Sequence, residues 1–177
     1  GNGVRVASTF DAVSGSLLAR TSGPGGGSSY QNLGYTWDAA GNLTLREERN
    51  RGVREQFYYD NRDRLDYVAR GGSVVLDLGY DDIGNLTDKL SSGSPSLLVN
   101  YTYDLLNRVQ SRSYNDGTTP PVIYCYDGMS WDGSVGGCSG TSSIPSKQRL
   151  TEVGSTVSRT AYGYNSAGQV IWSAQTT

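Results

Sequence analysis

The sequence has 177 residues, with 15 Lys and Arg against 17 Asp and Glu, a net charge of −2, no His and 36% hydrophobic residues. That length suits one domain of ordinary size with a lean core. The interspersed charges lack the basic block of a nucleic-acid binder, no apolar run nears the ~20 residues of a membrane-crossing helix, and the absence of histidine excludes His-dependent triads and His metal sites.

The chain opens on GNGVRVASTF, which lacks the charged and apolar regions of a signal peptide. An internal fragment and a secreted chain that has lost its signal both fit. A short aromatic–acid step, TFD, ends at Asp11, and the Gly/Ser-rich stretch 21–29 reads as a loop or flexible insert. From Tyr35 onward the aromatic–acid step recurs: YTWD ends at Asp38, FYYD at Asp60, LGYD at Asp81, YTYD at Asp104 and YCYD at Asp127, with a degenerate YGYN ending at Asn165. The aromatic before the acid stands at Trp37, Tyr59, Tyr80, Tyr103 and Tyr126, at intervals of 22, 21, 23 and 23 residues. The next step, to Tyr164, is 38, so an insertion intervenes. A fixed period of this length marks a repeat architecture. Alternate units are the more alike: AAGNLT (39–44) matches DIGNLT (82–87), and DNRDRL (60–65) matches DLLNRV (104–109).

Each unit reads as a β-hairpin, which makes the expected fold all-β: tandem hairpins forming a continuous twisted antiparallel sheet. Before the acid, residues alternate with period two, as in Tyr35–Thr36–Trp37 and Tyr101–Thr102–Tyr103. Three positions after it stand Gly41, Asp63, Gly84, Asn107 and Gly168, all residue types that tolerate a left-handed backbone. A three-residue hairpin loop needs such a residue at its last position, and an Asp at the start of the turn can accept bonds from nearby backbone N–H groups. The register that follows sets Trp37 opposite Leu43, Tyr59 opposite Leu65, Tyr80 opposite Leu86, Tyr103 opposite Val109 and Tyr164 opposite Val170. Such aromatic–aliphatic pairs add roughly 0.2–1 kcal/mol each. Asn42, Arg64, Asn85, Arg108 and Gln169 fall on the other side of the second strand, so one face of the sheet reads as apolar and the other as wet.

The turn rule fails after Asp127, where Ser130 holds the third position. The chain is therefore expected to divide, within one continuous structural domain, into a degenerate first repeat with its Gly/Ser-rich loop (1–34), regular repeats (35–126), an irregular insert (127–148) and a final repeat (149–177). Cys125 and Cys138 are too few for a zinc site without histidine. A local disulfide pinning the insert and two free thiols both fit; the disulfide would imply an oxidising compartment.

The units YTWDAAGNLT, FYYDNRDRL, YDDIGNLT and YTYDLLNRV resemble the YD or Rhs repeats of bacterial Rhs proteins, shell subunits of insecticidal toxin complexes and extracellular teneurins. The likeness is firm from Tyr35 to Val109 and looser at both ends. It implies hairpins laid side by side in a spiral shell, and a non-catalytic structural role on a secreted or cell-surface, bacterial protein. Partners would be other repeats of the same chain, further copies of it, enclosed toxin cargo or surface glycans, with no cofactor. Neither the self-cleaving terminal segment of Rhs cores nor a toxin domain has a counterpart in these residues. So short an array would leave sheet edges unpaired, which leads to the expectation of further chain or of end-to-end assembly into a filament.

Other chemistries read more weakly. Asp38, Asp60, Asp81, Asp104 and Asp127 each belong to a turn rather than to a glycosidase pair. Serines lack a histidine base and a GxSxG elbow. GPGGG and GSVGG lack the GK[ST] ending of a phosphate loop. Asp116, Asp127 and Asp132 lack EF-hand spacing for calcium. The second functional class is a carbohydrate- or protein-binding adhesion module, for which Trp131 in the insert is the best contact; the alternative is a tryptophan that tucks the insert onto the sheet. Sequons at Asn42, Asn85 and Asn100 are open to glycosylation only on an exported chain, and the first two belong to the repeat's own GNLT turn.

Overall fold

Period-two aromatic and aliphatic runs separated by residues with positive φ produce strands and tight turns, and among the described residues there is no helix. The computed structural model describes residues 2–135, 137–140 and 145–177. The chain divides into two units, residues 1–78 and 79–177. The first contains β1 (Val4–Phe10), β2 (Leu17–Pro24), β3 (Gln31–Trp37), β4 (Leu43–Glu48), β5 (Val53–Tyr59), β6 (Leu65–Arg70) and most of β7 (Ser73–Tyr80). The second contains the end of β7, then β8 (Leu86–Ser91), β9 (Leu97–Tyr103), β10 (Val109–Tyr114), β11 (Val122–Tyr126), β12 (Ser130–Trp131), β13 (Cys138–Ser139), β14 (Leu150–Gly154), β15 (Arg159–Tyr164) and β16 (Val170–Thr176). One open antiparallel sheet of 14 strands runs in chain order from β1 to β11 and on through β14, β15 and β16, while β12 and β13 form a separate ribbon.

In the first unit Trp37 faces Leu43 and Tyr59 faces Leu65, each pair beside a bulge that follows the turn. In the second, Tyr103 faces Val109 and Tyr164 faces Val170 in the same way. Each turn has a left-handed residue at its third position, as a three-residue hairpin loop requires. The φ values there are 89° at Gly41, 57° at Asp63, 97° at Gly84, 59° at Asn107 and 81° at Gly168.

Two expectations need correction. The stretch 21–29 is not a loop throughout: Thr21 to Pro24 complete β2 and pair with Ala7 to Val4. Extended backbone tolerates these small residues, and only the glycines after Pro24 turn the chain. Nor does the sheet divide into an apolar face and a wet one. In the first unit the face that carries Tyr35 and Trp37 also carries Glu55, 7% exposed and flanked by Arg46 and Arg70. In the second unit the deepest side chains, Ile123 and Cys125, lie on the face away from Tyr126 and beneath the insert.

Trp131 of the insert lies against Gly154 of β14, where a Cβ would stand 2.8 Å from its ring. Gly154 is buried, so its missing side chain is the socket for that ring. Gly154→Ala is expected to push Trp131 off the sheet and to cost about 1–3 kcal/mol, the usual range for overpacking. Urea unfolding followed by tryptophan fluorescence measures both effects.

Candidate functional site: two ladders along the hairpin turns

The acid of each unit organises its turn with both carboxylate oxygens. Asp60 Oδ1 accepts from the backbone N–H of Arg62 (2.8 Å) and Arg64 (3.0 Å), and Oδ2 accepts from Arg64 Nε (2.7 Å). Asp104 does the same with Leu106 and Arg108. Asp38 and Asp81 use the backbone N–H groups two and four residues on, with the side-chain amides of Asn42 and Asn85 in place of arginine. Asn165 receives the Gln169 N–H at 2.9 Å. The polar residues four positions after the acid are therefore its partners, which is why Asn42, Arg64, Asn85 and Arg108 all carry a side-chain N–H donor there. They also reach the next turn: Asn42 Nδ2 donates to Asp63 (3.1 Å) in the first unit, and Arg108 Nη2 to Asp127 (2.9 Å) in the second.

These bonds hold the turn acids below the ordinary carboxylate range. For Asp38 the main cause is the Asn42 backbone N–H, and for Asp60 it is the Arg64 side chain. For Asp81 and Asp104 partial burial pulls upward and is outweighed by Asn85 and by Arg108. Asp116, in a turn of its own, is lowered to about 2 by the Thr119 hydroxyl and the N–H groups of Thr119 and Thr118. A carboxylate whose folded value is depressed contributes stability above its unfolded pKa and loses it as pH falls through the folded value. Stability is thus expected to be flat above the ordinary carboxylate pKa near 4 and to fall as pH drops toward 2, with Asp60→Asn flattening part of that slope. Urea midpoints across pH 2–6 measure it.

The aromatics form a second ladder that the sequence reading did not foresee. Trp37 Nε1 donates to the Leu17 carbonyl at 2.8 Å and Tyr59 Oη to the Leu43 carbonyl at 2.9 Å, both within the first unit. Within the second, Tyr103 donates to Leu86 (2.8 Å), Tyr126 to Val109 (3.0 Å) and Tyr164 to Leu150 (2.6 Å). In each case the acceptor begins the second strand of the preceding hairpin. The ring packs in its own hairpin while its tip bonds to the one before. Burial raises the pKa of Tyr59, Tyr103 and Tyr126, so the hydroxyls remain donors across the physiological range. The available signal was the preference for Tyr over Phe, 13 against 2.

The insert is spliced into one of these turns without disturbing its closure. The Asp127 N–H donates to the Arg149 carbonyl at 3.0 Å, as Asp60 does to Arg64, and Tyr126 faces Leu150. Gln148, with φ of 62°, takes the left-handed position. Closure now spans 22 positions instead of four, an added loop entropy of about 1.5 kcal/mol. Cys125 and Cys138 are joined by a disulfide across 13 positions, which offsets that cost by about 3 kcal/mol in the chain-entropy account. Trp131 is half-buried: its Nε1 donates to the Ser134 carbonyl (2.6 Å), and Arg159 lies over its ring.

The remaining candidates are dispersed. Asp116 bonds Thr118 and Thr119, Asp132 bonds Ser134, and Asp127 bonds Arg108 and Gln148. Among the described residues no three such groups gather as metal ligands. In GPGGG the N–H groups of Gly25, Gly26 and Gly27 are spent on the carbonyls of Gly3, Gly23 and Pro24. In GSVGG, whose Gly136 lies outside the described residues, Gly137 N–H donates to Ser134. The Asn42 and Asn85 amides serve the turns, whereas Asn100 is exposed.

No protein-family model matches the chain, and no curated protein matches it in sequence. Solved structures do match in fold. The crystal structure of TcdB2-TccC3-Cdc42 is similar over 99% of this chain at TM-score 0.50 and 18% identity, and that of TcdB2-TccC3-TEV over 96% at 0.49 and 13%. The chain spans 8% and 10% of the lengths of those two chains. Repeated turns, ladders and the fold shared with the first of these structures define an all-β sheet of tandem hairpins.

Tyr59→Phe and Tyr103→Phe each remove one inter-hairpin hydrogen bond and keep the ring. Each is expected to cost about 0.5–1.5 kcal/mol. Tyr58→Phe is expected to be nearly neutral, because Tyr58 is partly exposed and its ring stacks on Tyr67. Equilibrium urea unfolding of the three variants separates the ladder from a general effect of losing a hydroxyl.

Proposed function

We propose that this chain is a non-catalytic structural segment of a YD/Rhs-type shell or scaffold on a secreted or cell-surface protein. The aromatic-tip ladder carries the reading: the most regular polar groups of the molecule are consumed in joining hairpin to hairpin, and the repeated carboxylates Asp38, Asp60, Asp81 and Asp104 are consumed in turns. The disulfide supports an oxidising location. The similarity to TcdB2-TccC3 structures supports a part in a larger shell, of which this chain would be a small portion enclosing cargo only together with other repeats. Trp131, committed to Gly154 and Ser134, favours the scaffold over the adhesion module.

The partner proposed is more of the same sheet, supplied by further chain or by other copies. The outer edge of β16 has no strand partner among the described residues, and Val170, Ile171 and Trp172 are 55%, 62% and 51% exposed. An unpaired edge of this kind is a template for strand addition, and head-to-tail addition that does not close gives a filament. Sedimentation over a concentration series is expected to show association that Ile171→Lys abolishes without changing the β-sheet circular dichroism. A monomer at every concentration would refute assembly of this segment by itself.

A further inference from the structure

The first unit carries a charged depression that neither ladder uses. Register places Tyr35, Arg46, Glu55 and Arg70 in one row across β3, β4, β5 and β6. Glu55 is buried and accepts from both arginines: Arg46 through Nε (2.8 Å) and Nη2 on Oε2, Arg70 through Nη2 on Oε1. Their pull outweighs burial and keeps Glu55 ionised. The two arginine side chains remain 49% and 54% exposed. Arg51 and Glu48 stand at the rim, and Leu33, Val53 and Tyr35 complete a lining around about 370 Å³ of space. Three guanidiniums thus face two carboxylates, and one of those, Glu48, accepts the backbone N–H of Asn50. Two arginines pinned to one buried acid are pre-oriented, with little side-chain entropy left to lose on binding.

We propose that this depression is a binding site for a carboxylate group. The guest carboxylate lies opposite Glu55 and accepts from the outward N–H edges of Arg46 and Arg70, so that acids and guanidiniums alternate around a square. Planar forks suit a planar carboxylate, and the excess positive charge of the row selects an anion. Arg51 adds attraction at the rim. The apolar walls contact whatever carries the carboxylate, a sugar ring or an aliphatic side chain.

The test is a titration of the whole chain with acetate, glucuronate and N-acetylglutamate, followed through the arginine Nε–H signals by NMR. Saturable shifts at Arg46 and Arg70 are expected for all three, and the tighter of the last two identifies the source. Arg46→Met and Arg70→Met are expected to weaken binding about tenfold. Arg51→Met, on an exposed turn, keeps the fold and is expected to weaken it about threefold. Shifts that never saturate, or that are equal at Arg20, overturn the proposal.

Discussion

A hairpin alone is marginal in water, because a two-stranded ribbon buries too little to offset the entropy of ordering it. This chain meets that constraint by making each aromatic serve two hairpins. The ring of Tyr59 packs across from Leu65 in its own unit while its hydroxyl reaches the carbonyl of Leu43 in the preceding one. The acceptor is the residue just before a bulge, where the ladder is locally disrupted and a carbonyl needs a partner. Phenylalanine would satisfy the packing and leave that carbonyl unpaired, so the side chain must be apolar along its body and polar at its tip.

The acid completes the same economy of parts. Asp60 closes its turn from both oxygens and fixes Arg64, and Asp104 does so with Arg108, which continues to Asp127 in the next turn and lies over the Tyr126 ring at 4.2 Å. Turn, pair and ladder meet within a few residues, so the repeating side-chain bonds between hairpins gather at the turn ends. Away from the turns the sheet is free to vary, and it does: the first unit places the Arg46–Glu55–Arg70 row there, and the second lays a disulfide-bonded insert over Ile123 and Cys125. The closure from Asp127 to Arg149 shows the tolerance of the design, since an excursion can enter a turn provided its two ends keep their bonds.

A scaffold role is consistent with this distribution of chemistry. The titratable groups with shifted pKa values are carboxylates bonded within turns, Glu55 and Arg108 in ion pairs, and tyrosines at the ladder. Perturbed groups often mark reactive sites, but here each shift arises from burial or from a hydrogen-bond or ion-pair partner within the sheet and its turns. The charged row of the first unit stands apart, because its arginines remain half exposed after Glu55 is satisfied.

The hairpins were legible in the chain itself because their causes are local. Alternation along Tyr35 to Trp37, an acid at the turn and Gly or Asn three residues later depend on backbone sterics and short-range hydrogen bonds, which act between near neighbours in sequence. Long-range pairing decided the rest. Which carbonyl Tyr126 reaches, that Arg46 and Arg70 converge on Glu55 from 9 and 15 positions away, and that Trp131 finds its socket at Gly154 all depend on strands brought side by side. Periodicity assigns a residue to a face of a strand, but it does not say what the neighbouring strand presents to it. For that reason a face expected to be apolar proved to hold a buried carboxylate.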